Sequence, residues 1–156
     1  MRQKLTTWWW IPCLPLLVCL VACEPHLPDD LPSLIDSMNS NSETTAVAAS
    51  NKVAKVFGKS GLLQALGTGG PTARTMAATW LGQFPDKDVE DALIGVLTQG
   101  DEPYVQISAL STLKRIGTAA ALPAIERAMK DPDTSVAGMA RDAASTIRAR
   151  SGGGKG

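Results

Sequence analysis

Side chains able to carry out chemistry are few in this sequence, and the best-spaced pair is Ser111 with Lys114. A Ser-x-x-Lys spacing can set a lysine beside an acylating serine. The apolar period around it predicts Ser111 in mid-helix, and neither an SDN nor a KTG element follows, so the pair is expected to be inert. Gly58-Lys59-Ser60 ends like a phosphate-binding loop, but Val53 stands where that loop needs glycine and no strand pattern precedes it. A turn between helices is the better reading. Asp131-Pro132-Asp133-Thr134-Ser135 begins like a calcium loop, yet Val136 occupies the position where glycine makes the turn, so these acids are expected to cap a helix. His26 is the one histidine and lacks partners for a metal site. No metal, cofactor or catalytic centre is expected, and the chain is read as no enzyme.

The cysteines carry the strongest chemical signal. Cys13 and Cys19 lie within the apolar run from Trp8 to Val21, which follows Arg2 and Lys4, and Cys23 stands at its end. The run is shorter than the roughly 20 apolar residues a bilayer needs, and Pro12 and Pro15 interrupt it. Residues 1–22 therefore read as a signal peptide to be removed. The segment Leu20-Val21-Ala22-Cys23 resembles the lipobox of bacterial lipoproteins: an aliphatic residue, a tolerant position, a small residue, then cysteine. That resemblance implies a diacylglycerol on the Cys23 sulfur, cleavage before Cys23, and an N-acyl lipid on its amine. Several acyl chains suffice for stable anchoring to a membrane. Glu24 in place of Asp after the cysteine points, by the same resemblance, to the periplasmic face of an outer membrane where the cell envelope has one. Of 15 basic residues Arg2 and Lys4 leave with the leader, so 13 remain against 15 acids, and no basic footprint for nucleic acid is present.

The rest of the chain divides by pattern. Residues 23–44 are rich in Pro, Ser and Asn and read as a lipid-anchored flexible tether with a reach of about 25 Å. Within it Leu31, Leu34, Ile35 and Met38 are spaced for a short amphipathic turn. Residues 45–150 hold an internal repeat. Ala73, Ala77, Leu81 and Phe84 recur 32 positions on as Val105, Ala109, Leu113 and Ile116, then 31 further on as Val136, Ala140, Ala144 and Ile147. Val89, Ala92, Leu93, Val96 and Leu97 recur 32 positions on as Ala121, Ala124, Ile125, Ala128 and Met129. Steps of three and four keep each set on one helix face. Half a copy precedes them at Leu62, Ala65 and Leu66, with a partner helix at about Thr45 to Phe57. Glycines follow the periodic stretches, Pro71, Pro103 and Pro123 fall near helix starts, and Asp101 and Asp133 are placed to cap. Residues 151–156 read as a disordered Gly-rich tail.

The pieces Asp101, Val105, Ala109, Leu113, Gly117 and Asp133, Val136, Ala140, Ala144 resemble the short HEAT-like repeats of the phycobilisome-lyase type. The arginine of that pattern stands at Arg74 and is replaced by Gln106 and Ala137 in the next copies. The resemblance implies an all-α fold: a short right-handed α-solenoid of about three stacked antiparallel helix pairs, each too small to be stable without its neighbours. It also implies that the second helix of each pair lines a concave side. Asp91, Ile94, Thr98, Glu126, Arg127 and Lys130 lie off the buried stripes of those helices and are the expected contact residues for a protein partner. Trp80 is expected to pack inward, with Tyr104 the other aromatic residue open to a binding role. The expected function is a noncatalytic, membrane-anchored scaffold of the bacterial cell envelope; the alternatives are a self-associating structural component and an accessory subunit of an envelope enzyme.

Overall fold

The structure is a computed structural model that describes residues 26–152, so Leu20, Val21, Ala22, Cys23 and the last four tail residues lie outside the described part. The described chain forms eight α-helices and no strand: α1 (Leu31–Met38), α2 (Glu43–Lys52), α3 (Gly58–Thr68), α4 (Pro71–Leu81), α5 (Lys87–Gln99), α6 (Pro103–Ile116), α7 (Leu122–Ala128) and α8 (Thr134–Gly152). A π-helical turn, Val53–Phe57, continues α2, and a 3₁₀ turn, Ala119–Ala121, leads into α7.

Local chemistry sets the boundaries. Pro71, Pro103 and Pro123 sit in first turns, where the missing N–H costs nothing. Asp86 accepts from the Val89 N–H at the start of α5, and Asp133 accepts from Ser135 and Val136 at the start of α8. Gly58 (φ 56°) and Gly100 (φ 72°) take left-handed backbone where the chain must reverse. Gly100 ends α5, and Gly58 separates the π-helical turn from α3.

Two layers result. Helices α4, α6 and α8 pack side by side, and α3, α5 and α7 cover them as hairpin partners. The seam between layers is built from the repeat: Ala73, Ala77, Leu81, Val105, Ala109, Leu113, Val136, Ala140, Ala144 and Ile147 are all without solvent exposure. Val89, Leu93, Val96 and Leu97 are buried on α5, as are Ala124, Ile125 and Ala128 on α7. Phe84, Ile116 and Met129 are only partly covered at the ends of those stripes, as is Ala92 within the α5 stripe.

Three readings need correction. The first concerns the tether: Leu31–Met38 is a helix that completes the core, with Leu34 and Met38 fully buried and Ile35 nearly so. Its prolines do not prevent this, because Pro32 lies in the first turn and Asp30 caps it through the Ser33 N–H. Asn39, at its end, then accepts from the Ala73 N–H and so caps α4, whose own N-cap is Gly70. The second concerns Asp101. It does not cap α6, whose N-cap is Glu102 without a side-chain bond, because Arg74 holds its carboxylate. The third concerns the tail, where Ser151 and Gly152 still belong to α8 and the Ser151 hydroxyl donates to the Ile147 carbonyl.

If α1 belongs to the core, Leu34→Ala removes a fully buried side chain and should lower stability by about 2–5 kcal/mol. Urea unfolding checks this; a loss under about 0.5 kcal/mol is what a tether residue would give.

Candidate partner-binding site

Successive copies of the repeat are joined by polar ties. Lys59, at the start of α3, donates to Asp86 at 2.9 Å and to Asp88 at 3.3 Å. One copy later the equivalent residues are Glu90 and Thr118: buried Glu90 accepts from the Thr118 N–H at 2.7 Å and from its hydroxyl at 2.9 Å. Arginines close the C-terminal ends of helices, where unpaired carbonyls favour cations. Arg74 donates to the Leu66 carbonyl of α3, Arg115 to the Gly82 carbonyl after α4, and Arg150 to the carbonyls of Lys114, Arg115 and Gly117 at the end of α6. The Arg74 guanidinium also faces both carboxylate oxygens of Asp101, whose side chain is 7% exposed. In the next copy Gln106 takes the arginine's place and donates to the Asp101 carbonyl at 2.8 Å.

The six expected contact residues do not form one site. Glu126, Arg127 and Lys130 line an open hollow of about 690 Å³ with Pro123, Met129 and Arg148. Asp91 lines a second, of about 310 Å³, with Lys87 and Glu90. Ile94 packs against the core, and the Thr98 hydroxyl donates to the Gly95 carbonyl of its own helix. Two of the charged members already have partners within the fold: Glu126 with Arg148, and Asp91 with Lys87, both at 2.5 Å. The Asp91 carboxylate beside Lys87 holds that ammonium above its ordinary value. Likewise the Lys59 hydrogen bond draws Asp86 below the usual carboxylate range, and Asp86 raises Lys59 in return.

Neighbouring helices make more extensive contact along α4, α6 and α8 than along α3, α5 and α7. The α4, α6 and α8 layer carries a face with little charge around Tyr104, the aromatic residue that the sequence left open to a binding role. From Pro71 to Leu81 the only charged residue is Arg74, tied to Asp101, and from Pro103 to Leu113 there is none. Thr72, Thr79, Tyr104 and Ser111 are exposed there, and Tyr104 retains 77% of its surface. The Thr75 and Thr79 hydroxyls donate back to Pro71 and Thr75 carbonyls, which leaves them less able to bind water. Tyr104 precedes the inward Val105 by one position, about 100° around the helix, so its exposure was readable from the repeat. Trp80, by contrast, packs against the core, with its indole N–H donating to buried Ser50.

This two-layer stack agrees with a family match: the HEAT repeats model covers residues 60–145. The chain is a HEAT-repeat protein. Comparison with curated proteins and with solved structures found no match. HEAT repeats are typically noncatalytic and commonly serve protein interaction. In this HEAT protein Ser111 is exposed in mid-helix, and the Lys114 ammonium faces Asp142 at 3.9 Å. The acids after Met129 serve the backbone, Asp131 accepting from the Asp133 N–H and Asp133 from α8. No helix of the described residues is long and apolar enough to cross a membrane.

Asp101→Asn should cost about 3 kcal/mol, since it leaves the charged Arg74 guanidinium without its counter-charge in a largely covered site. Asp91→Asn breaks only an exposed pair and should change stability by under about 0.5 kcal/mol. Thermal or urea unfolding of both variants checks the contrast.

Proposed function

We propose that this HEAT-repeat chain is a noncatalytic scaffold, held on a bacterial envelope membrane through lipid on Cys23, that seats a protein partner on the uncharged face around Tyr104. The carrying observation is the exposure of Tyr104 within two neighbouring helix faces that present hydroxyl and apolar groups and almost no charge. Protein interfaces deplete charge at their centres and concentrate binding energy in exposed aromatics, tyrosine among them. The lipid anchor is supported by the Leu20-Val21-Ala22-Cys23 motif behind its basic and apolar leader. A tether to the periplasmic face of an outer membrane remains the expected address.

A second reading keeps the partner on the α5 and α7 layer, at the hollow lined by Glu126, Arg127 and Lys130. Its exposed charges favour a polar, salt-sensitive contact. Stacking of copies end to end receives less support, since α8 exposes Ser135, Arg141, Asp142 and Ser145.

A photo-cross-linking side chain placed at Tyr104 or at Arg127 of the anchored protein separates these readings in cells. A discrete product from position 104 alone is expected; one from position 127 alone would move the site to the α5 and α7 layer, and a product with a second copy would indicate self-association. Tyr104→Ala should weaken partner binding about 30-fold or more, while stability stays within about 0.5 kcal/mol. For the anchor, Cys23→Ala should leave an uncleaved precursor without acyl groups, and fatty-acid label on that variant would refute lipidation at this cysteine.

A further inference from the structure

Resting on the proposal that Cys23 carries lipid, we propose that the π-helical turn Val53–Phe57 lies directly against the bilayer, with Val56 seated among the headgroups. The Lys52 ammonium donates to the Leu27 carbonyl at 3.3 Å, the Pro28 carbonyl at 2.7 Å and the Asp29 carboxylate at 2.7 Å. This latch pins the chain to the folded body at Leu27, only four positions after Cys23.

Four residues span at most about 14 Å when fully extended. The headgroup region takes up about 6 Å of that on one side of a bilayer. What remains is less than the diameter of one helix, roughly 10–12 Å. A domain held that closely cannot swing free of the surface, and the edge beside the latch must face it.

That edge is built from residues suited to the task. In a regular α-helix Val56, three residues after the fully buried Val53, would share its inward face. The wider π turn swings it outward instead, so Val56 is 64% exposed. It lies four positions after Lys52 and therefore on the same side as the latch. Lys55 is exposed beside it, and Leu27 and Phe57 are partly exposed. The turn is held in shape from behind, where Phe57 packs so near Gly61 that a side chain there would collide with it. A membrane is the occupant chosen over a second protein because the acylated cysteine sits within four residues of this edge.

The test uses the full chain, expressed with its leader so that acylation can occur, and reconstituted into vesicles of phosphatidylethanolamine and phosphatidylglycerol. Once Cys23 is acylated the mature chain has no other cysteine, so Val56→Cys or Gln99→Cys takes a single environment-sensitive fluorophore. Gln99 serves as the far control: Lys59 ties the start of α3 to the start of α5, and Gln99 lies at the other end of α5, about 18 Å away. The label at 56 should shift to the blue and be quenched by nitroxide-bearing lipid, whereas the label at 99 should do neither. Lys52→Ala should abolish the quenching at 56 while the protein still floats with vesicles and keeps its helical circular dichroism. Equal, water-like signals from both positions in a chain whose mass shows the acyl groups would overturn the proposal and leave the anchor standing. A chain that floats without them, or does not acquire them, would remove the anchor and this proposal together. Unchanged quenching in folded Lys52→Ala would likewise overturn the role of the latch.

Discussion

The structure depends on how closely α4, α6 and α8 approach one another. Alanines at 73, 77, 109, 140 and 144 are fully buried in this layer, and their small side chains let helix axes come toward the short end of the usual 8–10 Å separation. One contact attests to it. The Thr112 hydroxyl, on a side chain of a single carbon's reach, donates to the Ala78 carbonyl of the neighbouring helix at 2.9 Å. The arginine ties share this dependence, for Arg115 reaches the Gly82 carbonyl only because α6 runs beside the end of α4. An alanine seam also buries little apolar area per helix. Each pair therefore relies on the next, and α1 and α8 are needed to finish the two ends.

Much of this was legible in advance. The spacing of 31 to 32 positions located the seam because burial acts on every copy in the same way, and the matched residues at its centre are the fully covered ones. The repeat also predicted a helix before Gly58, which the structure places at Glu43–Phe57 as α2 and its π-helical turn, although α2 packs on α1 and α4 while α3 pairs with α4. What escaped was the first copy of the repeat. Leu31, Leu34 and Ile35 of α1 stand 31 positions before Leu62, Ala65 and Leu66, but prolines at 25, 28 and 32 and the Ser/Asn run after Met38 make the segment resemble a spacer until α1 is seen against α2 and α4. Asp101 and Asp133 occupy equivalent positions, yet one faces an arginine and the other a free helix start, so only the second caps. Residue type alone could not separate them, because the decision lies with the residue 27 positions earlier, at Arg74.

The expected contact residues on α5 and α7 followed from the family resemblance and from their places off the buried stripes; the structure pairs two of them, Asp91 and Glu126, within the fold. The uncharged stretches of α4 and α6 carried a quieter signal, since long exposed faces without charge are unusual on a soluble surface. On this geometry the two proposed contacts fall at different ends of the helices. Tyr104 stands at the start of α6, just beyond the end of α5, and the π-helical turn lies near the start of α5 through Lys59. A domain resting on that turn would hold its tyrosine away from the lipid, within reach of a partner in the aqueous space.

One joint has an evolutionary consequence. At the same place in successive copies, a lysine meets an aspartate and then a glutamate meets a threonine, so donor and acceptor have exchanged sides. Were a gene duplication to insert an extra unit, Glu90 would come to face a second Asp86, setting two acids against each other, whereas loss of a unit would set Lys59 against Thr118. Each unit is thus keyed to its own neighbour, and the array resists gaining or losing copies by simple recombination. Its length is guarded by mismatched locks rather than by the caps alone.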